Sequence, residues 1–202
     1  MAKEPGRIGV SLLRDYAAAV EAHYNGCWGA TLDRWRPTEG PVDDLLGFEV
    51  LAIERRGIAA VATVGMSKPS DSAIEVHVLL RREELEAAFP AVAEVLAAAS
   101  YYHRTAQPLG LGHTVNIGRP IVAGSSCDYG LLSLPYLDGP KLEWMEAPRT
   151  RCLWFIPITL SEREFKKSHG LEALEDLFEE TGFNYLDLMR PSVVGHATGA
   201  KA

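Results

Sequence analysis

Apolar positions recur along this chain with two different periods, and the switches between them outline the fold. Within residues 11–23, Leu12, Tyr16, Ala19, Val20 and His23 fall on one face of a helix. Ser11 is placed to cap that helix and Gly26 to end it. Residues 28–44 break the pattern, with Pro37, Gly40 and Pro41 as punctuation, and read as irregular. Strand patterns follow at residues 48–54, 58–66 and 74–80. Arg55-Arg56-Gly57 joins the first pair as a short hairpin, and residues 67–72 have turn chemistry. In the last strand Ile74, Val76, Val78 and Leu80 share one face, and Glu75, His77 and Leu79 share the other. This alternation predicts an antiparallel meander with one buried face.

Residues 82–103 return to helical spacing, with Leu85, Ala88, Val92, Val95, Leu96 and Ala99 as the apolar stripe. Pro90 reads as the first residue of a second helix. Residues 110–150 are rich in Gly and Pro, with short apolar runs that suit short strands or loops. Residues 152–159 form a near-continuous apolar run, as expected of a central strand covered on both faces. Pro157 marks the end of that strand as a sheet edge or a bulge. Ser161-Glu162-Arg163-Glu164 reads as a capping box, with Ser161 at the cap and Glu164 three residues on. That helix stops at Gly170, and a second covers residues 171–181, with Leu171, Leu174, Leu177 and Phe178 inward and Gly182 as its stop. Residues 195–202 read as a disordered tail. With no repeat and no clear linker, residues 1–194 are expected to form a single α/β domain.

Composition narrows the function classes. The chain has 202 residues, 47% hydrophobic and 23% charged, with a formal net charge of −7. That balance argues against a nucleic acid or an anionic membrane as partner; it reads either as a charge that only aids solubility or as one that favours a basic protein partner. The first residues lack an apolar signal core, and no apolar run approaches the ~20 residues of a membrane span. The expected compartment is therefore the cytoplasm.

Cys27, Cys127 and Cys152 are odd in number and lack a C-x-x-C, so neither a disulfide framework nor a thiolate zinc site is expected. His23 and Cys27 are four apart, but no further ligand is specified, and no metal or cofactor is expected. Gly110-Leu111-Gly112-His113-Thr114-Val115 begins like a dinucleotide fingerprint but lacks its last glycine and a following helix. Cys127 with His113 or His169, in the segment Gly124-Ser125-Ser126-Cys127-Asp128, leaves a small thiol hydrolase open as an alternative. Glu172, Glu175, Asp176, Glu179 and Glu180, with Asp187, form an acidic surface without an intervening Lys or Arg. It reads either as a solvated helix face or as a landing site for a basic protein. Trp28, Trp35, Tyr101, Tyr102, Tyr129, Tyr136 and Trp144 lie in or near loop-like segments, as binding-patch residues or as lids over the sheet.

The C-terminal block from Cys152 to Val193 resembles the end of the suppressor-of-fused domain family. Its apolar strand, T-L-S-E-R-E helix start, His169-Gly170, Leu-rich helix and Asp187-x-x-Arg190-Pro191 carry the likeness. Glu75 to Gly118 is similar more weakly, through EVHVLLR, Ala99-Ser100-Tyr101 and Gly112-His113-Thr114-Val115-Asn116. The resemblance implies a mainly antiparallel sheet with helices packed on it, no enzymatic activity and a protein partner. Family members in animals bind transcription factors, partly by strand addition, and bacterial single-domain members are assigned as immunity proteins against toxins. This chain is similar in length to the bacterial type. Tyr101 stands at the family's groove tyrosine, and His113 replaces its groove aspartate. The resemblance makes Ser161, Glu164, Gly170, Asp187, Arg190 and Pro191 a structural signature, with Arg190 anchoring a buried or half-buried ion pair.

The resulting expectation is an α/β (α+β) suppressor-of-fused-like sandwich that binds a protein, foremost an immunity-type protein masking a basic toxin domain. Tyr101, His113, Tyr129, Glu175 and Glu179 are the candidate partner-binding residues. A homo-oligomeric scaffold is the other alternative beside the hydrolase.

Overall fold

A computed structural model describes residues 6–40, 42–70 and 72–195. The chain opens with α1 (Gly6–Cys27), β1 (Thr31–Trp35), β2 (Glu49–Arg55), β3 (Ile58–Val64) and β4 (Ala73–Arg81). It continues through α2 (Leu85–Thr105), β5 (Thr114–Asn116), β6 (Cys127–Ser133), α3 (Pro140–Glu143) and β7 (Trp144–Met145). β8 (Thr150–Thr159), α4 (Leu160–His169) and α5 (Leu171–Thr181) close it. The strands form one sheet in the order β1-β2-β3-β4-β8-β6-β5, with β7 paired to β8 off that path. All pairings are antiparallel except β4 with β8. The expected mainly antiparallel sheet with packed helices is the fold observed.

Both faces of the sheet are covered. α2 lays Leu85, Phe89, Val92 and Leu96 on the face carrying Val50, Val61, Val78 and Phe155. α1 covers the opposite face over Leu51 and Ile53 through Tyr16, Val20 and Tyr24. α5 covers that same face further along, placing Leu174, Leu177 and Phe178 over Leu131, Ile156 and Ile158. This corrects the meander with one buried face: Glu75 and His77 are fully buried because a second helical layer lies over them. At Gly130 a Cβ would lie 1.9 Å from the Phe155 ring, so only glycine lets that ring rest on β6.

Other expectations shift. α1 starts before Ser11, which lies inside it, and Gly26 is helical too. β1 lies in the segment expected to be irregular; its charged residues are exposed, which hid the alternation. Pro90 does not start a second helix but sits within α2. The carbonyl it leaves unpaired belongs to Glu86, at the exposed beginning of that helix, where water can bond it. β8 is central only at first: its β4 pairing ends at His77–Trp154, before Pro157, which still faces Gly130 of β6. The proposed tail falls almost wholly on residues 196–202, outside the described residues.

The capping box exists two residues earlier than expected. Thr159 is the cap, accepting from the Glu162 amide, and Glu162 Oε2 accepts from the Thr159 amide at 2.8 Å. Ser161 instead meets Ser192 Oγ at 2.7 Å, and Glu164 pairs with Arg163 at the surface. Both S/T-x-x-E frames fit the sequence; the fold selects the one whose glutamate reaches Arg190. The Arg190 guanidinium forks onto Glu162 at 2.6 and 2.9 Å, and Nη2 also donates to the Pro157 carbonyl at 2.9 Å. Glu162 is fully buried and Arg190 is 4% exposed, so the anchoring ion pair expected of Arg190 is buried. Gly170 separates α4 from α5 as expected, and Asp187 turns its carboxylate onto the Met189 amide at 2.9 Å rather than onto Arg190.

A second buried carboxylate makes no ion pair among the described residues. Glu75 accepts from Tyr16 OH at 2.8 Å, Thr63 Oγ1 at 2.6 Å, and the Gly65 and Met66 amides at 2.8 and 3.0 Å. Gly65 has φ +81°, and a Cβ there would lie 2.6 Å from the Gly47 carbonyl, so glycine is needed at this turn.

Removing one partner of a buried ion pair strands the other, so R190A is expected to lower unfolding free energy by about 3–5 kcal/mol in denaturant titration. A loss below about 1 kcal/mol would show that the pair is effectively solvated. Burial pushes the Glu75 carboxyl up from 4.5 to about 7, against the hydrogen bonds it accepts. The folded state therefore holds that proton more tightly than the unfolded chain. Glu75's contribution to stability should fall as pH rises from about 4.5 to about 7 and be flat above, a total of about 3 kcal/mol at 1.36 kcal/mol per unit. Denaturation of wild type and E75Q across that window measures the difference, and parallel profiles would show that Glu75 is ionised throughout.

Candidate functional site

α5 is amphipathic, with Leu174, Leu177 and Phe178 inward. Its register leaves Glu172, Glu175, Asp176 and Glu179 along one side of a groove of about 770 Å³. Trp154 and Ile156 of β8 contribute to the lining, as do Phe183 and Tyr185 in the chain after Gly182. These aromatics are continuous: Phe178 stacks on Phe183 at 4.2 Å, and Tyr185 meets Phe183 at 6.3 Å and Trp154 at 5.5 Å, both edge-on. Gly182, at φ +59°, ends α5 and turns the chain back to make this wall.

The remaining wall is Ser133, Tyr136 and Leu137. Its loop is held by Asp138, which accepts from Arg55 Nε at 3.1 Å and lies 3.0 Å from Arg55 Nη2. Glu175 accepts from Ser133 Oγ, and from Tyr136 OH at 3.0 Å. Burial, and then Glu175, push the Tyr136 hydroxyl up to about 12, so it stays a donor at neutral pH. Beside Trp154, His77 is fully buried, with its ring parallel to the indole at 6.5 Å. Burial, with Arg55 nearby, holds it down at about 3, so it is neutral.

The acidic lining is uncompensated from within. Elsewhere, Glu21, Glu49, Glu54, Asp138 and Glu143 all lie in ion pairs with arginine. Among the described residues, no Lys, Arg or His pairs with Glu172, Glu175, Asp176 or Glu179.

The five candidate binding residues are spread over separate places. Glu175 and Glu179 share the groove. Tyr129 lies in a different cavity, of about 480 Å³, between α2 and β5, where Arg163 stands 5.7 Å over its ring. Tyr102, not Tyr101, borders that cavity; Tyr101 is in a depression beside Trp35 and Pro37. His113 is exposed just before β5, its carbonyl accepting from the Leu132 amide at 2.9 Å. Trp154, Phe183 and Tyr185 were missed as site residues. The aromatic spacing after Gly182, beside an acidic helix, was the available signal.

Among the loop aromatics, Trp28 is a lid, stacked on Tyr24 at 5.0 Å and edge-on to His77 at 5.1 Å. Cys127 is fully buried, and burial pushes its thiol up. No hydrogen bond joins it to His113 or His169 among the described residues; His169 stacks on Phe165 at 4.3 Å. His23 Nε2 meets the Leu142 carbonyl at 2.9 Å and Cys27 donates to the Lys141 carbonyl, so both point to α3. Among the described residues no group of three or more His, Cys, Asp or Glu side chains is arranged for a metal. No described helix is long and apolar enough to cross a membrane.

The model of the suppressor of fused protein (SUFU) family matches residues 44–191. A crystal structure described as a SUFU homolog from Neisseria gonorrhoeae FA 1090 is 33% identical, with a TM-score of 0.75 over 90% of this chain and 98% of that one. The Sufu-Fu complex aligns with a TM-score of 0.60 at 12% identity, over 90% of this chain and 91% of that one. Drosophila Suppressor of Fused gives 0.54 at 13% identity, over 72% and 42%. At those identities the last two show the fold alone. No curated protein matches the chain. By its own matched residues and its bacterial relative, the chain belongs to the suppressor of fused protein family.

Proposed function

We propose that this chain is a non-enzymatic protein-binding module of the immunity type, which masks a basic toxin domain in the cytoplasm. The observation that carries the reading is the groove under α5: an aromatic lining edged by carboxylates that pair with no cation among the described residues. Such a surface suits a basic protein. A cationic partner gains from the field of Glu172, Asp176 and Glu179, and the aromatic wall supplies area to desolvate. Net charge of −7 extends the same attraction over the whole chain. A protein of this fold is found in a complex with a protein, Sufu with Fu, which supports binding as the use of the scaffold.

The test is genetic. Deleting the gene beside an intact neighbouring toxin gene should stop growth, and the wild-type chain supplied in trans should restore it. The triple variant E172K/D176K/E179K, checked for unchanged thermal unfolding, should not restore it. Healthy growth after the deletion would overturn the immunity reading, and full rescue by the triple variant would remove the groove from it.

A further inference from the structure

We propose that the groove takes an arginine side chain of the partner, its guanidinium forked onto Glu175 and stacked on the aromatic wall. This rests on reading the groove as the docking face. An ionised carboxylate has about four acceptor positions. Ser133 and Tyr136 each occupy one, on different oxygens of Glu175. An acceptor position remains on each oxygen, the complement of a guanidinium's parallel N–H pair. Those donors also fix the carboxylate in place, so little rotamer freedom is lost when a guest binds.

The wall suits the same guest. Guanidinium is planar and weakly hydrated and stacks on aromatic rings, whereas an ammonium is a compact, strongly hydrated charge. The chain already uses this arrangement on the same aromatic run. Arg190 forks onto Glu162 while its guanidinium lies 5.6 Å from the Phe178 ring centre and 5.2 Å from that of Phe183. Phe183 and Phe178 also line the groove, so the run that holds the internal arginine is presented to the partner. Glu172, Asp176 and Glu179 add attraction for the cation and repel phosphate or carboxylate guests.

Binding of N-acetylarginine methylamide, its lysine counterpart and its neutral citrulline isostere to the full chain tests this, read by amide and indole chemical shifts. The arginine compound should saturate and move the Trp154 indole and Tyr185 signals. It should bind about tenfold more tightly than the citrulline compound, and E175Q should weaken it about tenfold, the cost of exchanging a charge-assisted fork for a neutral contact. E180Q, on the same helix but outside the groove lining, should leave it unchanged. Equal binding of citrulline, stronger binding of lysine, full affinity in E175Q or no saturation by the arginine compound would each overturn the proposal. If it falls while E172K/D176K/E179K still fails to rescue growth, the docking face stands and only its guest is wrong. If it holds while the deletion strain grows normally, the arginine slot stands and the immunity reading falls.

Discussion

The buried fork between Arg190 and Glu162 is the contact on which the C-terminal half depends. Taking both charges out of water costs several kcal/mol per ion, offset only where geometry and further hydrogen bonds are complete. Here they are. Glu162 also accepts from the Thr159 and Val193 amides, and Arg190 also donates to the Pro157 and Pro191 carbonyls. One ion pair thus fixes the end of β8, the start of α4 and the last described turn of the chain together. Because Arg190 rests on Phe178 and Phe183, the same contact sets where the chain after α5 runs, and hence where the groove wall stands.

Glu75 shows the opposite solution to the same problem. It is fully buried and makes no ion pair among the described residues, and its four donors come from α1, β3 and the turn after β3. Desolvation wins over those bonds and raises its affinity for a proton. The same turn is held from α2, since Arg104 Nε donates to the Met66 carbonyl at 3.2 Å. The helices on opposite faces of the sheet are therefore referenced to one glycine turn, which apolar packing alone would leave free to slide.

Local chemistry made much of this legible. The apolar run of β8, the Gly170 break and the stripe of α5 follow from neighbouring residues, whereas the anchoring role of Arg190 is implied by the family resemblance, its partner Glu162 lying far off in sequence. What escaped depends on partners distant in sequence. β1 is charged and exposed, so it carries no alternation. Glu75 and His77 looked solvent-facing because nothing near them announces α1 and Trp28 above them. Two capping frames overlapped, and only Arg190 distinguishes them. In the site, the carboxylates of α5 were visible, but their aromatic counterpart joins Trp154 of β8 to Phe183 and Tyr185 across the fold.

The sheet's edges bear on how such a chain meets a partner. β1 carries a register shift between Thr31 and Asp33, and Arg34 is paired to Glu21 and Glu49 beside it, features that discourage strand addition. β5, at the other edge, is three residues long. Neither edge offers a long template, whereas α5 bears a cost that the fold does not require. Glu172 and Asp176, Glu175 and Glu179, and Asp176 and Glu180 are like charges four residues apart, each disfavouring a helix by about 0.2–0.5 kcal/mol. Glu179 and Glu180 also oppose the helix dipole at its C-terminal end, where the last turn holds no basic residue. A lysine at Asp176, Glu179 or Glu180 would relieve these repulsions without touching the core. The sequence keeps carboxylates there instead, and a cation brought by the proposed partner would relieve the repulsion that the free chain carries.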